Sequence, residues 1–229
     1  TDNLPDPEIK LPGDNFNTVL WSGDDTDPHA ITGVGFQPDF LWIKSRSAAK
    51  WHQQLDAIRG VTKQVNSNEP QAETTNSDKV KSFDTDGFTL GTRDEVNGSG
   101  ETYVGWNWLA ATTFDPDTAG TLVGSGRSNS TAGFSIVAYT GNLVNGATFG
   151  HGLSQAPELV IVKSRSLVDG WLVGTTAGAI DFTDYAYLNT TVAFSDSAEP
   201  WNDTDPNATV VSLGTNTGCN SSGETYVAY

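Results

Sequence analysis

The sequence predicts an all-β protein made of two tandem antiparallel β-sandwich repeats, jelly-roll-like in their packing. The first observation is composition: among 229 residues there are 24 Gly and 10 Pro, which suits short strands joined by many turns. The second is a series of short apolar or alternating runs bounded by turn residues. The third is an internal repeat that spans most of the chain.

The repeat is visible when the chain is compared with itself. Three blocks recur in order: residues 16–23 with 134–141, residues 44–47 with 163–166, and residues 99–106 with 222–229. The shift is 118 residues in the first block (134 minus 16), 119 in the second (163 minus 44) and 123 in the third (222 minus 99). Because the shift changes only between blocks, we interpret them as retained strands separated by loop insertions.

The repeat also sets the expected domain boundaries. The segment 109–131 is rich in Gly, Ser, Thr and Asp, which is typical of a connecting arm or linker. The second copy stops at Tyr229, whereas its counterpart Trp106 runs on to Leu109, so we expect a repeat cut from a longer chain. The predicted units are an N-terminal arm at 1–13, repeat 1 at 14–108, the linker at 109–131 and a truncated repeat 2 at 132–229.

Two kinds of strand are predicted within each copy. Residues 40–43 and 159–162 are unbroken apolar runs, as expected for central strands covered on both faces. In residues 102–108 the alternation places Val104, Trp106 and Trp108 on one face, which we expect to point inward.

One segment is ambiguous. Residues 48–59 could form a short helix or continue as extended chain. Their counterpart around residues 171–174 has the pattern of a strand, so symmetry favours the extended form.

Charge and composition exclude several classes of partner. With 28 acidic and 12 basic residues the net charge is −16, which repels phosphate backbones and anionic lipid surfaces. No apolar run approaches the roughly 18 residues needed to cross a bilayer. Nucleic acid binding and membrane insertion are therefore not expected, and the single Cys219 cannot form an internal disulfide.

No catalytic residue is predicted. The chain has none of the common nucleophile, zinc-protease or phosphate-loop motifs, and His29, His52 and His151 are too scattered for a zinc or triad spacing. The many acidic residues nevertheless leave a paired-carboxylate glycosidase open.

No metal site is predicted either. The Asp-rich turns at 24–27, 84–87 and 203–205 offer the oxygen ligands that calcium prefers, but none completes a calcium-binding loop. Turn capping by Asp is the favoured role, and calcium is the alternative.

Three tryptophans in polar surroundings are candidate glycan-binding residues: Trp201, Trp51 and Trp171. A partly exposed indole can stack on a sugar while nearby polar groups bind its hydroxyls. The alternative is that Trp51 and Trp171 occupy the same core position in the two repeats. Trp201 has no counterpart and is the better recognition candidate.

Several blocks together resemble a repeat domain of uncharacterised function found in tailed-phage structural proteins. They are residues 35–44, 55–60, 86–91, 101–108, 132–142 and 150–153. The chain departs from the usual pattern at residues 44–47, where an Asn would precede the Arg, and it is more acidic than typical members.

The resemblance implies a virion location, often in tail fibres, and no catalytic residues. The leading hypothesis is a virion surface protein, on tail or capsid, that belongs to a tail fibre or head fibre with a host-attachment role. Its expected partners are other virion proteins, a host surface glycan and further copies of itself, as in a trimer. The alternatives are a lectin-like glycan-binding module and a glycan-cleaving tailspike.

Overall fold

The computed structural model describes residues 12–229, and strands account for 41% of it and helices for 6%. Every strand pair in this part of the chain is antiparallel. The predicted all-β class with antiparallel, sandwich-like layers is therefore confirmed. Most of the predicted N-terminal arm, residues 1–11, lies outside the described residues, and the described chain begins with a single 3-10 turn, Pro12–Asp14.

The first half of the chain contains nine strands and one helical turn. They are β1 (Phe16–Ser22), β2 (His29–Thr32), β3 (Phe40–Ser45), β4 (Gln53–Asp56), β5 (Lys63–Gln64), β6 (Thr74–Thr75), β7 (Val80–Asp84), β8 (Gly87–Leu90), α1 (Asp94–Asn97) and β9 (Thr102–Trp108). They form one sheet in the order β1-β9-β3-β4, a second in the order β2-β8-β7 and the small pair β5-β6.

The second half contains ten strands and two helical turns. They are β10 (Thr112–Asp117), β11 (Gly124–Asn129), β12 (Phe134–Thr140), β13 (Ala147–Gly150), β14 (Leu159–Ser164), β15 (Trp171–Thr175), β16 (Asp184–Tyr187), β17 (Ser195–Asp196), α2 (Ala198–Trp201), β18 (Val210–Leu213), α3 (Thr217–Asn220) and β19 (Thr225–Ala228). The large sheet has the order β10-β11-β12-β19-β14-β15-β16-β17, and β13 pairs with β18.

The two halves share a strand order and local contacts. The order β1-β9-β3-β4 has the same chain direction and connectivity as β12-β19-β14-β15. Trp21 stacks on Tyr103 with ring centroids 5.5 Å apart, and Tyr139 stacks on Tyr226 at 5.3 Å. These pairs sit opposite one another in the ladders of β1 with β9 and of β12 with β19.

The repeated Lys-Ser-Arg-Ser sequence closes the turn after each central strand. The Lys44 ammonium donates to the carbonyl oxygen of Ser45 at 2.8 Å, and the Lys163 ammonium donates to that of Ser164 at 2.8 Å. The lysines thus satisfy carbonyl groups that the end of a strand leaves without ladder partners.

Three apolar clusters hold the fold together. The first lies between β1-β9-β3-β4 and β2-β8-β7 and includes Leu41 and Phe88. The second lies between the large sheet and β13-β18 and includes Val162 and Phe149. The third, which we call the seam, joins the outer faces of the two sheets; it comprises Phe40, Ala110, Ile136 and Val227 with Trp42, Ile58, Trp108, Phe134 and Tyr229.

The seam explains why the central strands differ. In β3, Leu41 and Ile43 point into the first cluster while Phe40 is buried in the seam, so the prediction of burial on both faces is confirmed there. In β14, Val160 and Val162 are buried but Leu159 is 53% exposed. The corresponding prediction for residues 159–162 is wrong on that face, because part of the seam is open.

The predicted inward face of β9 also needs correction. Tyr103, on the opposite face, is fully buried in the first cluster, whereas Trp108 lies half-buried in the seam. The alternation itself is as predicted, but both faces are covered, so it does not distinguish inside from outside. The ambiguous segment 48–59 contains strand β4, which confirms the extended form.

The predicted linker is largely strand. β10 and β11 pair with each other, and β11 pairs with β12, so this segment extends the large sheet. Gly124 and Gly126 therefore do not mark flexibility: a Cβ at Gly126 would lie 2.2 Å from the ring of Phe114. The glycine at this position allows an aromatic ring to lie close to the backbone, and it is not the mark of a linker.

Ion pairs join the two halves next to the seam. Arg59 and Asp56 have fully buried side chains, with Nε 2.6 Å from Oδ2. The carboxylate of Glu73 contacts Arg59 of the first half at 3.2 Å and Arg165 of the second at 2.9 Å. Burial alone would lower the pKa of Arg59, but Asp56, Tyr229 and Glu73 together raise it, so this cation remains charged.

Candidate ligand-binding cleft

An open cleft of about 630 Å³ lies where the seam is incomplete. One wall is formed by first-half residues of β3, β4 and β9, and the other by second-half residues of β12 and β14 and the loops beside them. Its volume falls in the range of small-molecule sites, about 300–1,000 Å³. Neither half forms this cleft by itself.

Aromatic rings form much of the cleft wall. Phe40 is the centre of the group: its ring centroid lies 5.1 Å from that of Trp108, 5.9 Å from Phe134 and 4.6 Å from Tyr229. Trp42 lines the cleft and is half-buried. Rings held in fixed orientations by one another offer a rigid apolar surface to a ligand.

Hydroxyl and amide groups stand around this aromatic surface. Ser130, Thr131, Ser154 and Gln155 line the cleft and are exposed. Their side chains make no hydrogen bond to other residues within 12–229, so they are available to a ligand. Glu158 is the one carboxylate among the described lining residues, and no lysine or arginine is among them.

A smaller cavity of about 350 Å³, which we call the side chamber, adjoins the cleft. Trp42, Ser67 and Leu188 line both cavities. The remaining residues of the side chamber are all polar: His52, Asn68, Asn189, Thr190 and Thr191.

The protonation of His52 is set by its neighbour. The indole nitrogen of Trp42 donates to Nδ1 of His52 at 2.8 Å, so the proton of the neutral imidazole resides on Nε2. Burial, aided by the positive charge of Lys44, lowers the pKa of His52. The imidazole is thus neutral near pH 7 and has Nε2–H as a remaining donor.

The three tryptophans predicted to bind glycan lie elsewhere or are buried. Trp201 is 0% exposed and Trp171 is 2% exposed, so the expectation of partly exposed indoles is wrong for both. Trp201 packs edge-on against Phe182, where Gly174 leaves room for it. Trp51 is 52% exposed but lines neither the cleft nor the side chamber.

The alternative for Trp51 and Trp171, a shared core position, is also wrong. Trp171 pairs with Lys163 across β14 and β15, and Ile43 pairs with Gln53 across β3 and β4. Since Lys163 corresponds to Lys44, the residue that corresponds to Trp171 is His52. Trp171 contributes an edge of the cleft, and its indole nitrogen donates to the carbonyl oxygen of Asn66 at 2.9 Å.

The Asp-rich turns make internal hydrogen bonds. Asp24 accepts from the backbone and the hydroxyl of Thr26 at 2.9 and 2.8 Å and lies 3.0 Å from His29. The Thr26 bonds lower the pKa of Asp24. Within residues 12–229 no three His, Cys, Asp or Glu side chains converge to hold a metal ion, and no helix is long and apolar enough to span a membrane.

The sequence did not single out Trp42 and Trp108 as site residues, because both lie in strands whose apolar pattern predicts core. The signal that could have indicated them is that β3 and β9 carry large apolar residues on both faces. One face of each strand packs in the first cluster and the other in the seam, where the cleft is open.

The comparisons identify a family but no described relative. A family model described as "Domain of unknown function (DUF7483)" matches residues 11–229. No curated protein and no solved structure matches the chain. Since the matched segment covers nearly all 229 residues, the chain belongs to this family of unknown function.

Proposed function

We propose that this protein is a glycan-binding surface module of a tailed-phage virion, in which the cleft recognises a host surface glycan. The observation that carries the proposal is the cleft itself: a rigid aromatic wall bordered by hydroxyl and amide groups that have no other hydrogen-bond partner within 12–229. Sugars present both an apolar ring face and hydroxyl groups, and this surface complements both.

The location on the virion rests on the sequence resemblance to tailed-phage structural proteins. As part of a tail fibre or head fibre, the cleft would lie on the virion surface, where it can contact glycans of the host cell. We further propose that the protein forms a homo-oligomer, namely a homotrimer, with other virion proteins as its neighbours. The net charge of −16 favours solubility and disfavours nucleic acid as a partner.

The fold suits such a module. The shared strand order and the matched stacking pairs support two tandem, jelly-roll-like β-sandwich repeats derived from one unit. The ion pairs of Glu73 and the aromatic seam hold the repeats in one arrangement. A fixed arrangement is required for a site that both repeats line.

Binding without cleavage fits the cleft better than a tailspike hydrolase. Most glycosidases need two carboxyl groups that face each other across the scissile bond. Glu158 stands without a second carboxylate among the described lining residues. A reducing-end release assay on bound polysaccharide checks this point, and we expect no release.

The test compares two tryptophans of one chain. Wild-type protein, Trp42→Ala and Trp51→Ala are applied to an array of bacterial surface glycans and then titrated against the glycans that bind. Trp42 lines the cleft and the exposed Trp51 does not. We expect Trp42→Ala to weaken binding by about tenfold or more, equivalent to about 1.4 kcal/mol, and Trp51→Ala to bind as wild type.

The controls separate binding from folding. Near-ultraviolet circular dichroism and the urea midpoint show whether Trp42→Ala keeps the native fold, and Trp42→Phe retains an aromatic ring at the same place. No binding of the folded wild-type protein to any surface glycan would overturn the proposal. Loss of binding in Trp51→Ala alone would move the site away from the cleft.

A further inference from the structure

The cleft and the side chamber lie next to each other. Trp42, Ser67 and Leu188 line both cavities, so a ligand that contacts Trp42 from the cleft lies beside the side chamber. The two volumes, about 630 and 350 Å³, exceed what a single sugar residue fills. We infer that the ligand is an uncharged oligosaccharide that occupies two adjoining subsites, with Trp42 between them; this inference rests on the proposed glycan-binding function.

The side chamber supplies neutral hydrogen-bonding groups. The tautomer set by Trp42 leaves Nε2–H of His52 free to donate. Asn189 uses its Oδ1 to accept from the backbone of Trp171 at 2.9 Å, and its Nδ2 makes no bond to a described residue. Thr191 is exposed, and its hydroxyl likewise bonds to no residue within 12–229. Together these groups offer donors and an acceptor for sugar hydroxyls.

Charge determines the class of saccharide. Glycans with sialic acid or uronic acid carry carboxylates, which proteins bind through arginine or lysine. The described residues that line the two cavities include no arginine or lysine and one carboxylate, Glu158. The nearby Lys44 donates to the carbonyl oxygens of Ser45 and Ala48. A net charge of −16 on the chain adds to the repulsion of acidic glycans.

The experiment uses oligosaccharides of increasing length as probes. Isothermal titration of the full chain is carried out with gluco-, galacto- and manno-oligosaccharides from dimer to hexamer, and with sialyllactose and oligogalacturonate as acidic probes. Asn189→Asp keeps the acceptor for Trp171 but removes the Nδ2 donors, and Thr191→Val removes one hydroxyl. Thr118→Val is the matched control, since Thr118 is exposed and lines neither cavity.

The expected results concern length and charge. Affinity rises with length until both subsites are filled, and acidic probes bind at least about tenfold more weakly than neutral ones of equal length. Asn189→Asp and Thr191→Val each weaken binding of the longer probes about tenfold, whereas the shortest binding probe and Thr118→Val are unchanged.

Two outcomes overturn the inference while leaving the proposed function intact. In the first, Asn189→Asp and Thr191→Val bind the long probes as tightly as the wild type does, whereas Trp42→Ala has lost binding. The other is a preference for the acidic probes. Absence of binding to every probe and every surface glycan removes the proposed function as well, so the two failures are distinguishable.

Discussion

The Arg59 guanidinium donates a hydrogen bond of 3.0 Å to the phenol oxygen of Tyr229, a residue 170 positions away in the sequence. The same phenol donates to Oδ2 of Asp56 at 2.7 Å. The side chain that follows β19 is therefore held by a buried ion pair of the first half. This contact fixes the relative position of the two walls of the cleft.

Replacement of Arg59 by methionine should destabilise the protein by about 3–5 kcal/mol, because it leaves the carboxylate of Asp56 buried without its cation. Urea unfolding monitored by tryptophan fluorescence measures this change. Arg93→Met is the matched control: Arg93 is exposed and its ion-pair partner Glu95 is partly exposed, and loss of this pair should cost about 0–1 kcal/mol. Equal effects of the two substitutions would contradict the role assigned to Arg59.

Gly126→Ala should lower the free energy of unfolding by about 1–3 kcal/mol, the usual range for overpacking. The added methyl group would meet the ring of Phe114 and the carbonyl oxygen of Ile136. At Gly13, by contrast, a Cβ meets nothing within 4 Å, so Gly13→Ala serves as the control and should have little effect. A flexible linker at this position would tolerate both substitutions, and urea titrations decide between the two cases.

Trp201→Ala should cost about 3–5 kcal/mol, as is typical when a large aromatic side chain is removed from a core, because its side chain is fully buried beside Phe182. Trp51→Ala should change stability by less than about 0.5 kcal/mol, since Trp51 is 52% exposed. Chemical denaturation of both variants provides the measurement. A small effect at Trp201 would mean that it is not part of the core.

Lys163 should titrate with a pKa of about 8, since burial disfavours its charged form and the negative charge of Asp169 only partly offsets this. The unfolded chain has the ordinary value of about 10.4. Below pH 8 the buried charge therefore lowers the free energy of unfolding by its full amount. This destabilisation disappears as the pH rises through the pKa of the unfolded chain.

Side-chain NMR of the lysine ammonium groups measures this pKa, with Lys163→Arg to assign the signal. Lys50 is an internal reference, because its hydrogen bond to Asp94 raises its pKa. A value for Lys163 close to that of Lys50 would show that its environment is wetter than the structure indicates.

Much of the fold followed from local pattern. The internal match placed corresponding strands in both halves, and the Asp84–Gly87 turn joins β7 to β8 as its residues predict. Such features depend on neighbours close in sequence, where alternation and turn chemistry are informative. The Lys-Ser-Arg-Ser sequence could be matched between the two halves, but its role could not be predicted. The carbonyl groups that Lys44 and Lys163 satisfy come within hydrogen-bond distance only when the turn has formed.

The cleft could not be predicted because it depends on which surfaces meet. The apolar pattern predicts that Phe40 and Trp108 are core residues of one sandwich, yet both lie against Phe134 of the other half. Polar surroundings likewise suggested an exposed Trp201. Sequence neighbours do not reveal that Gly174 and Phe182 form its pocket. Long-range packing thus decided the site, whereas local periodicity decided the strands.

The seam makes each half of the chain depend on the other to cover its aromatic face. Either half produced alone would expose the large aromatic face that now lies in the seam, and an apolar patch of that kind promotes aggregation. On the proposed origin of the two halves from one repeated unit, a single unit would have lacked the cleft, and duplication would have supplied both the half that shields this face and the second wall of the cleft. On the proposed function, selection on the pairing of the two copies, more than on either copy, would then govern which glycans the cleft binds.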